Sequence, residues 1–266
     1  MRLINFIIGF VILFSCTKKD NYSSIQLIGH AGMGLAMTNS MYHDNSKEAI
    51  EYALTMKGCD GVEVDVQLSS DGDLWLYHDP NLDSETNSSG CISEMNSIQL
   101  SSVKYKSFHN EKLIKLKDLD SNLLRGKTLY LDIRKVNFCT NSEISTQALI
   151  DALNTISFLK NPEINLVVVS NNPTFLATLN INGFKVAYEI SDGFDFLSQQ
   201  PIYPFIKELI VKNKNISSEQ ISAYQSSGIE VIIFEMRSAS GIRKALKKNP
   251  NSIMTDDLRE AIIEVN

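Results

Sequence analysis

Two acids spaced two residues apart in an apolar run, Gly61-Val62-Glu63-Val64-Asp65-Val66, give the first sign of chemistry in this chain. Alternate side chains of a strand share a face, so Glu63 and Asp65 point one way and the valines the other. If the valines face a helical shell, both carboxylates enter the interior, where neighbouring like charges are costly unless a cation or a proton compensates. A hard divalent ion bound through oxygen, Mg2+ or Ca2+, suits such a pair; a solvent-facing acidic strand at a rim is the plainer alternative. A second apolar strand, Leu129-Tyr130-Leu131-Asp132-Ile133-Arg134, adds a third acid, Asp132, with Arg134 on the same face. His30 directly follows Leu27-Ile28-Gly29, and His78 closes a short segment after the paired acids. Either histidine alone reads as structural. Brought to one rim with three acids, the two supply a general acid and a general base around a metal-bound anion.

Such a site needs strands that end together. Short apolar runs at 25–29, 61–67, 128–133, 165–169, 184–188, 208–211, 230–234 and 252–254 predict eight strands. Helical periodicity falls between most of them, over 46–56, 142–159, 173–179, 217–225 and 240–248, opening on Ser or Pro as helix starts prefer. Eight strand-then-helix repeats predict an α/β chain folded as a (β/α)8 TIM barrel, with an open doubly wound sheet as the alternative. Barrel active sites collect at the C-terminal ends of strands, where the acids and histidines fall. Asp71-Gly72 marks a turn, and residues 73–77 read as a returning strand of a hairpin ending at His78-Asp79. Residues 80–112, rich in Ser and Asn with little periodicity, read as a loop-like insertion at the barrel mouth. Trp75 and Tyr77 alternate on the returning strand and read as core; His43 and His109 read as solvated loop residues.

With 266 residues, 43% of them apolar, the chain can bury one large core. A formal charge of -6 argues against a broad nucleic-acid surface. Arg2 and an apolar run over 3–14 end in Leu13-Phe14-Ser15-Cys16, followed by Thr17-Lys18-Lys19-Asp20. This looks like a bacterial lipoprotein signal over 1–15, with Cys16 lipidated and 16–24 as a tether. The expected place is then outside the cytoplasm, on a membrane face, held by acyl chains. Of four cysteines, Cys59, Cys91 and Cys139 remain; export permits a disulfide but leaves one unpaired, and spacing does not choose the pair.

His30-Ala31-Gly32, Asp44-Asn45-Ser46, Gly58-Cys59-Asp60-Gly61-Val62-Glu63-Val64-Asp65-Val66, Asp71-Gly72 and His78-Asp79 together resemble the ordered signature of glycerophosphodiester phosphodiesterases. Leu131-Asp132-Ile133-Arg134, Val167-Val168-Val169-Ser170, the run over 228–234 and Ile253-Met254-Thr255-Asp256 extend the resemblance over 25–264. It implies a phosphodiesterase barrel over 25–266. It also implies one divalent cation on Glu63, Asp65 and Asp132, acid and base catalysis by His30 and His78, and phosphate or substrate contacts from Arg134, Asp44 and Asn45. The implied reaction is hydrolysis of small glycerophosphodiesters to glycerol phosphate and an alcohol. The family usually has Arg where Ala31 stands, Lys where Arg134 stands, and Glu where Asp44 and Asp132 stand. Arg134 is the candidate to supply the missing guanidinium. A phospholipase C/D-like phosphodiesterase on intact lipids and a noncatalytic ligand-binding barrel remain the alternatives.

Overall fold

In the computed structural model, residues 22–35, 37, 40–190 and 195–266 are described. The expected leader over 1–15, Cys16 and most of the tether lie outside them.

Eight parallel strands close on themselves: β1 (Gln26–Gly29), β2 (Gly61–Leu68), β4 (Thr128–Ile133), β7 (Asn165–Ser170), β8 (Lys185–Glu189), β9 (Glu208–Lys212), β10 (Glu230–Phe234) and β11 (Ser252–Thr255). Each pairs with the next, and β1 pairs with both β11 and β2, so the sheet has no free edge on this circuit. The α/β class and TIM-barrel architecture expected from the strand count are what the chain adopts. β3 (Leu74–Leu76) returns antiparallel along β2, with Val66 opposite Leu76, and forms the expected hairpin.

Strand alternation separates two cores. Val62, Val64 and Val66 pack outward against the helices in the larger cluster, each burial contributing about 1.5–3 kcal/mol. Ile28, Tyr130, Val167, Val169, Ala187, Ile210, Ile232 and Met254 fill the barrel interior. Local signals place the helices. α1 (Lys47–Thr55) begins at Ser46, whose side chain accepts from Ala49 N, and buries Ala49, Ile50, Ala53 and Leu54. α4 (Pro173–Ile181) opens on Asn172 and Pro173, α5 (Ser218–Ser226) on a Ser217–Gln220 capping box, and α6 (Ala239–Leu246) on Ser238. α7 (Leu258–Val265) completes the shell.

Three expectations are corrected. The helix expected over 142–159 is split: β5 (Val136–Asn137) and β6 (Ser142–Glu143) form a small hairpin, and only α3 (Thr146–Asn154) is α-helical. The cause is local, since Asn137 Oδ1 accepts from Cys139 N and Thr140 N and Asn141 takes a left-handed φ of 55°. Between β8 and β9 the described residues contain no helix, and Phe196 and Ile206 bury themselves in the outer core. The insertion is no bare loop. It holds one short helix, α2 (Ser97–Leu100), and a core of its own: Trp75, Tyr77, Leu82, Ile92, Leu100, Val103, Tyr105 and Leu113. Apart from Trp75 and Tyr77 of the hairpin, these residues come from irregular or single-turn stretches, which is why no sustained periodicity announces them.

Cys91 of the insertion is disulfide-bonded to Cys139 in the β5–β6 turn, with Cα atoms 5.9 Å apart, and Cys59 is free and buried. Among the described residues no helix is long and apolar enough to cross a membrane.

Candidate active site

The parallel register sets the acids side by side. Asp65 on β2 lies opposite Asp132 on β4, with Glu63 one inward-facing position earlier on β2. One carboxylate oxygen from each comes within 4.8 Å of the others. Glu63 and Asp65 are buried. Burial, then Asp65 and Asp132, hold the Glu63 carboxyl well above its usual range, with His30 opposing. Burial likewise pushes Asp132 up to about 7 against the opposing charge of Arg134.

The surroundings aim these oxygens. Asn45, fully buried with a φ of 55°, donates from Nδ2 to Asp65 Oδ2 at 2.8 Å and accepts from Asp65 N at 2.9 Å. Its amide is therefore spent on Asp65 and does not face the cavity as a phosphate contact would. Ala31 N donates to Glu63 Oε2 at 3.0 Å. Arg134 reaches Asp65 Oδ1 at 2.6 Å through Nη2 and Asp132 Oδ2 at 3.0 Å through Nη1. Two buried carboxylates and a half-buried third drawing in a guanidinium are an oxygen-only donor set short of positive charge, which fits a hard divalent cation.

His30 stands where β1 ends. Gly32 next to it has φ +89°, and a Cβ there would meet the α1 backbone at 2.9 Å, so only glycine lets the loop fold against the helix. His30 Nδ1 is 2.7 Å from Asp256 Oδ1, which also accepts from Leu35 N at 3.1 Å, and Nε2 is 3.8 Å from Glu63 Oε2. A carboxylate can only accept, so Nδ1 carries the proton and Nε2 faces the acids. Burial lowers the imidazole's pKa, but the bond to Asp256 and the charges of Glu63, Asp256 and Asp65 outweigh it and raise it to about 9. His78, 36% exposed, follows β3 with Nδ1 at 2.9 Å from Asp79 Oδ1.

A cavity of about 350 Å³ at the strand ends takes in His30, His78, Glu63, Asp65, Asp132 and Arg134. All five expected acid and histidine positions, and Arg134, thus meet at one mouth. Asp44 and Asn45 sit behind it. His43, expected to be solvated, instead stacks on Tyr105 with centroids 3.8 Å apart, its Nδ1 3.0 Å from Asp44 O and its Nε2 3.7 Å from Glu85. His109 contacts the rings of Tyr42 and Phe108, and Trp75 is core as expected. Sequence reasoning left Asp256, Glu189 and Arg237 without roles, although all three line the cavity. Glu189 ends β8 and Asp256 directly follows β11, and that position was the available signal; Arg237, three residues past β10, had none.

The family model for the glycerophosphoryl diester phosphodiesterase family matches residues 30–250. The chain belongs to that family. Solved structures of similar fold include an Oleispira antarctica phosphodiesterase in complex with the product sn-glycerol-3-phosphate. It is 18% identical, with 90% of this chain and 96% of that one covered and a TM-score of 0.76. The Thermotoga maritima glycerophosphodiester phosphodiesterase is 21% identical over 91% of this chain and 98% of its own, with a TM-score of 0.70. At these identities the likeness is one of fold. A Bacillus altitudinis glycerophosphodiester phosphodiesterase is 43% identical over 53 residues, 20% of this chain and 21% of that protein. The matched stretch spans about a fifth of the length of the curated relatives.

Proposed function

We propose that this chain hydrolyses small glycerophosphodiesters to glycerol phosphate and an alcohol, using one Mg2+ or Ca2+ on Glu63, Asp65 and Asp132. The observation that carries the reading is the meeting of three acids from adjacent strands with two histidines in one cavity. Family membership and the glycerol phosphate bound by the Oleispira relative support the substrate class.

A divalent ion held by Glu63, Asp65 and Asp132 would supply positive charge beside the phosphoryl group. The chain's own groups do the rest. Asp256 fixes the His30 ring so that Nε2 can exchange a proton with a group beside the carboxylates. His78, braced by Asp79 and partly open to solvent, handles the second proton. Arg134 partly neutralises Asp65 and Asp132 and orients their carboxylates at the cavity.

His30→Ala and His78→Ala in purified protein are each expected to remove nearly all hydrolysis of glycerophosphocholine, and chelation followed by single-metal addition to abolish and restore it. Wild-type rates in both histidine variants would refute the assignment.

A further inference from the structure

Charge is not spread evenly around the mouth. Glu63, Asp65 and Asp132 come from β2 and β4, whereas the cavity's other two cations, Lys212 and Arg237, end β9 and follow β10. In the closed strand order β9 lies four strands from β2, and β10 four from β4, which is directly across an eight-stranded barrel. The wall of Glu63, Asp65 and Asp132 is anionic even with Arg134 beside it, and the facing wall sets the cations Lys212 and Arg237 among Glu235 and Asp256.

Those groups differ in how far they are already engaged. Lys212 Nζ is 3.7 Å from Glu235 Oε1, and Lys214 approaches the same carboxylate at 3.9 Å. Arg134 is spent on Asp65 and Asp132. Arg237 touches Asp256 Oδ2 through Nε at 3.6 Å, beyond hydrogen-bond range, and the side chain is 56% exposed. Asp256 Oδ2 itself is buried and lacks any hydrogen-bond partner.

The backbone under Arg237 is held on both sides. Met236 is buried and its carbonyl accepts from Asp256 N at 3.2 Å, while Ser238 caps α6. From Arg237 a run of contacts leads through Asp256 at 3.6 Å and His30 at 2.7 Å to Glu63 at 3.8 Å. The guanidinium thus flanks His30 on the side away from the carboxylates, at the edge of the same cavity.

We propose that Arg237 is a phosphoryl-binding residue, taking the nonbridging oxygens of the substrate on the side of His30 opposite the three acids. The proposal rests on the phosphodiesterase reading. A phosphodiester spreads its charge over two nonbridging oxygens, and a planar guanidinium can grip such oxygens in a fork that a lysine does not reproduce. Arg237 has the charge, the freedom and the location for that contact, and its anchored backbone leaves only the side chain to be ordered.

Calorimetric binding of sn-glycerol 3-phosphate to full-length protein with saturating Ca2+ tests this without turnover. Arg237→Gln is expected to weaken binding about 10- to 100-fold, the loss of a charge-assisted hydrogen bond, and Arg237→Lys by less. Lys214→Gln, which removes the same charge from the rim outside the cavity, should leave affinity unchanged, and all three variants should melt near the wild-type temperature. Wild-type affinity in Arg237→Gln, or equal weakening in Lys214→Gln, overturns the role of Arg237 and leaves the phosphodiesterase reading intact. Wild-type protein that neither binds glycerol 3-phosphate nor cleaves any glycerophosphodiester overturns both.

Discussion

Metal binding to Glu63, Asp65 and Asp132 should release protons, and the number can be worked from the structure. Burial raises Asp132 from 3.8 to about 7 and holds Glu63 well above 4.5. A carboxyl whose folded pKa is raised favours folding while protonated: its contribution is complete below the unfolded value and is lost as pH climbs through the folded one. A divalent ion reverses that preference, because it binds only the ionised groups. At pH 7 Asp132 alone is about half protonated, so it gives up roughly 0.5 proton per ion, and Glu63, raised in the same direction, adds to that release. Arg134 stays charged and contributes none. Between pH 6 and pH 8 the apparent affinity should rise at least about tenfold from Asp132 alone. Titration calorimetry of chelator-stripped protein with Mg2+ or Ca2+, in buffers of different ionisation enthalpy, counts these protons. Asp132→Asn should lower the count by about 0.5 at pH 7 and weaken binding. A count near zero at pH 6 to 7, with affinity flat in pH, would show that the three carboxylates are not the ligands.

Two further outcomes are expected. Glu208 sits beside Glu230 at the opposite end of the barrel, and burial first, then Glu230, raises it to about 7. Its stabilising effect is present below 4.5 and lost through pH 7, so Glu208→Gln should gain up to about 3 kcal/mol at pH 8 and nothing at pH 4. Equal melting shifts at both pH values would count against that. Removing the Cys91–Cys139 crosslink, which spans 48 residues, by a double serine substitution should cost about 4 kcal/mol on the chain-entropy estimate. Denaturant titration reads it, and an unchanged midpoint would mean that the bond constrains nothing in the unfolded chain.

Much of this site was legible in residue order. The Glu63–Asp65 alternation set their common face, and the strand repeat placed Asp132 beside them. What escaped depends on contacts between distant segments. Nothing near His30 in the chain announces Asp256, 226 residues away, as its partner. Asp44-Asn45 resembles a substrate motif, but only the fold shows that Asn45 grips Asp65 by both ends of its amide. The pairing of Cys91 with Cys139 joins two irregular stretches, where spacing carries no information. The hairpin inside the expected 142–159 helix hid because its turn chemistry lies in Asn137 and Asn141, and the residues that follow do have helical periodicity.

The crosslink also constrains how the entrance works. It fastens the excursion after β3 to the one after β4, and the latter begins two residues beyond Arg134. The two excursions therefore cannot separate by more than the bond between Cys91 and Cys139 allows. Reduction removes that tie while leaving the strand pairing of the barrel in place.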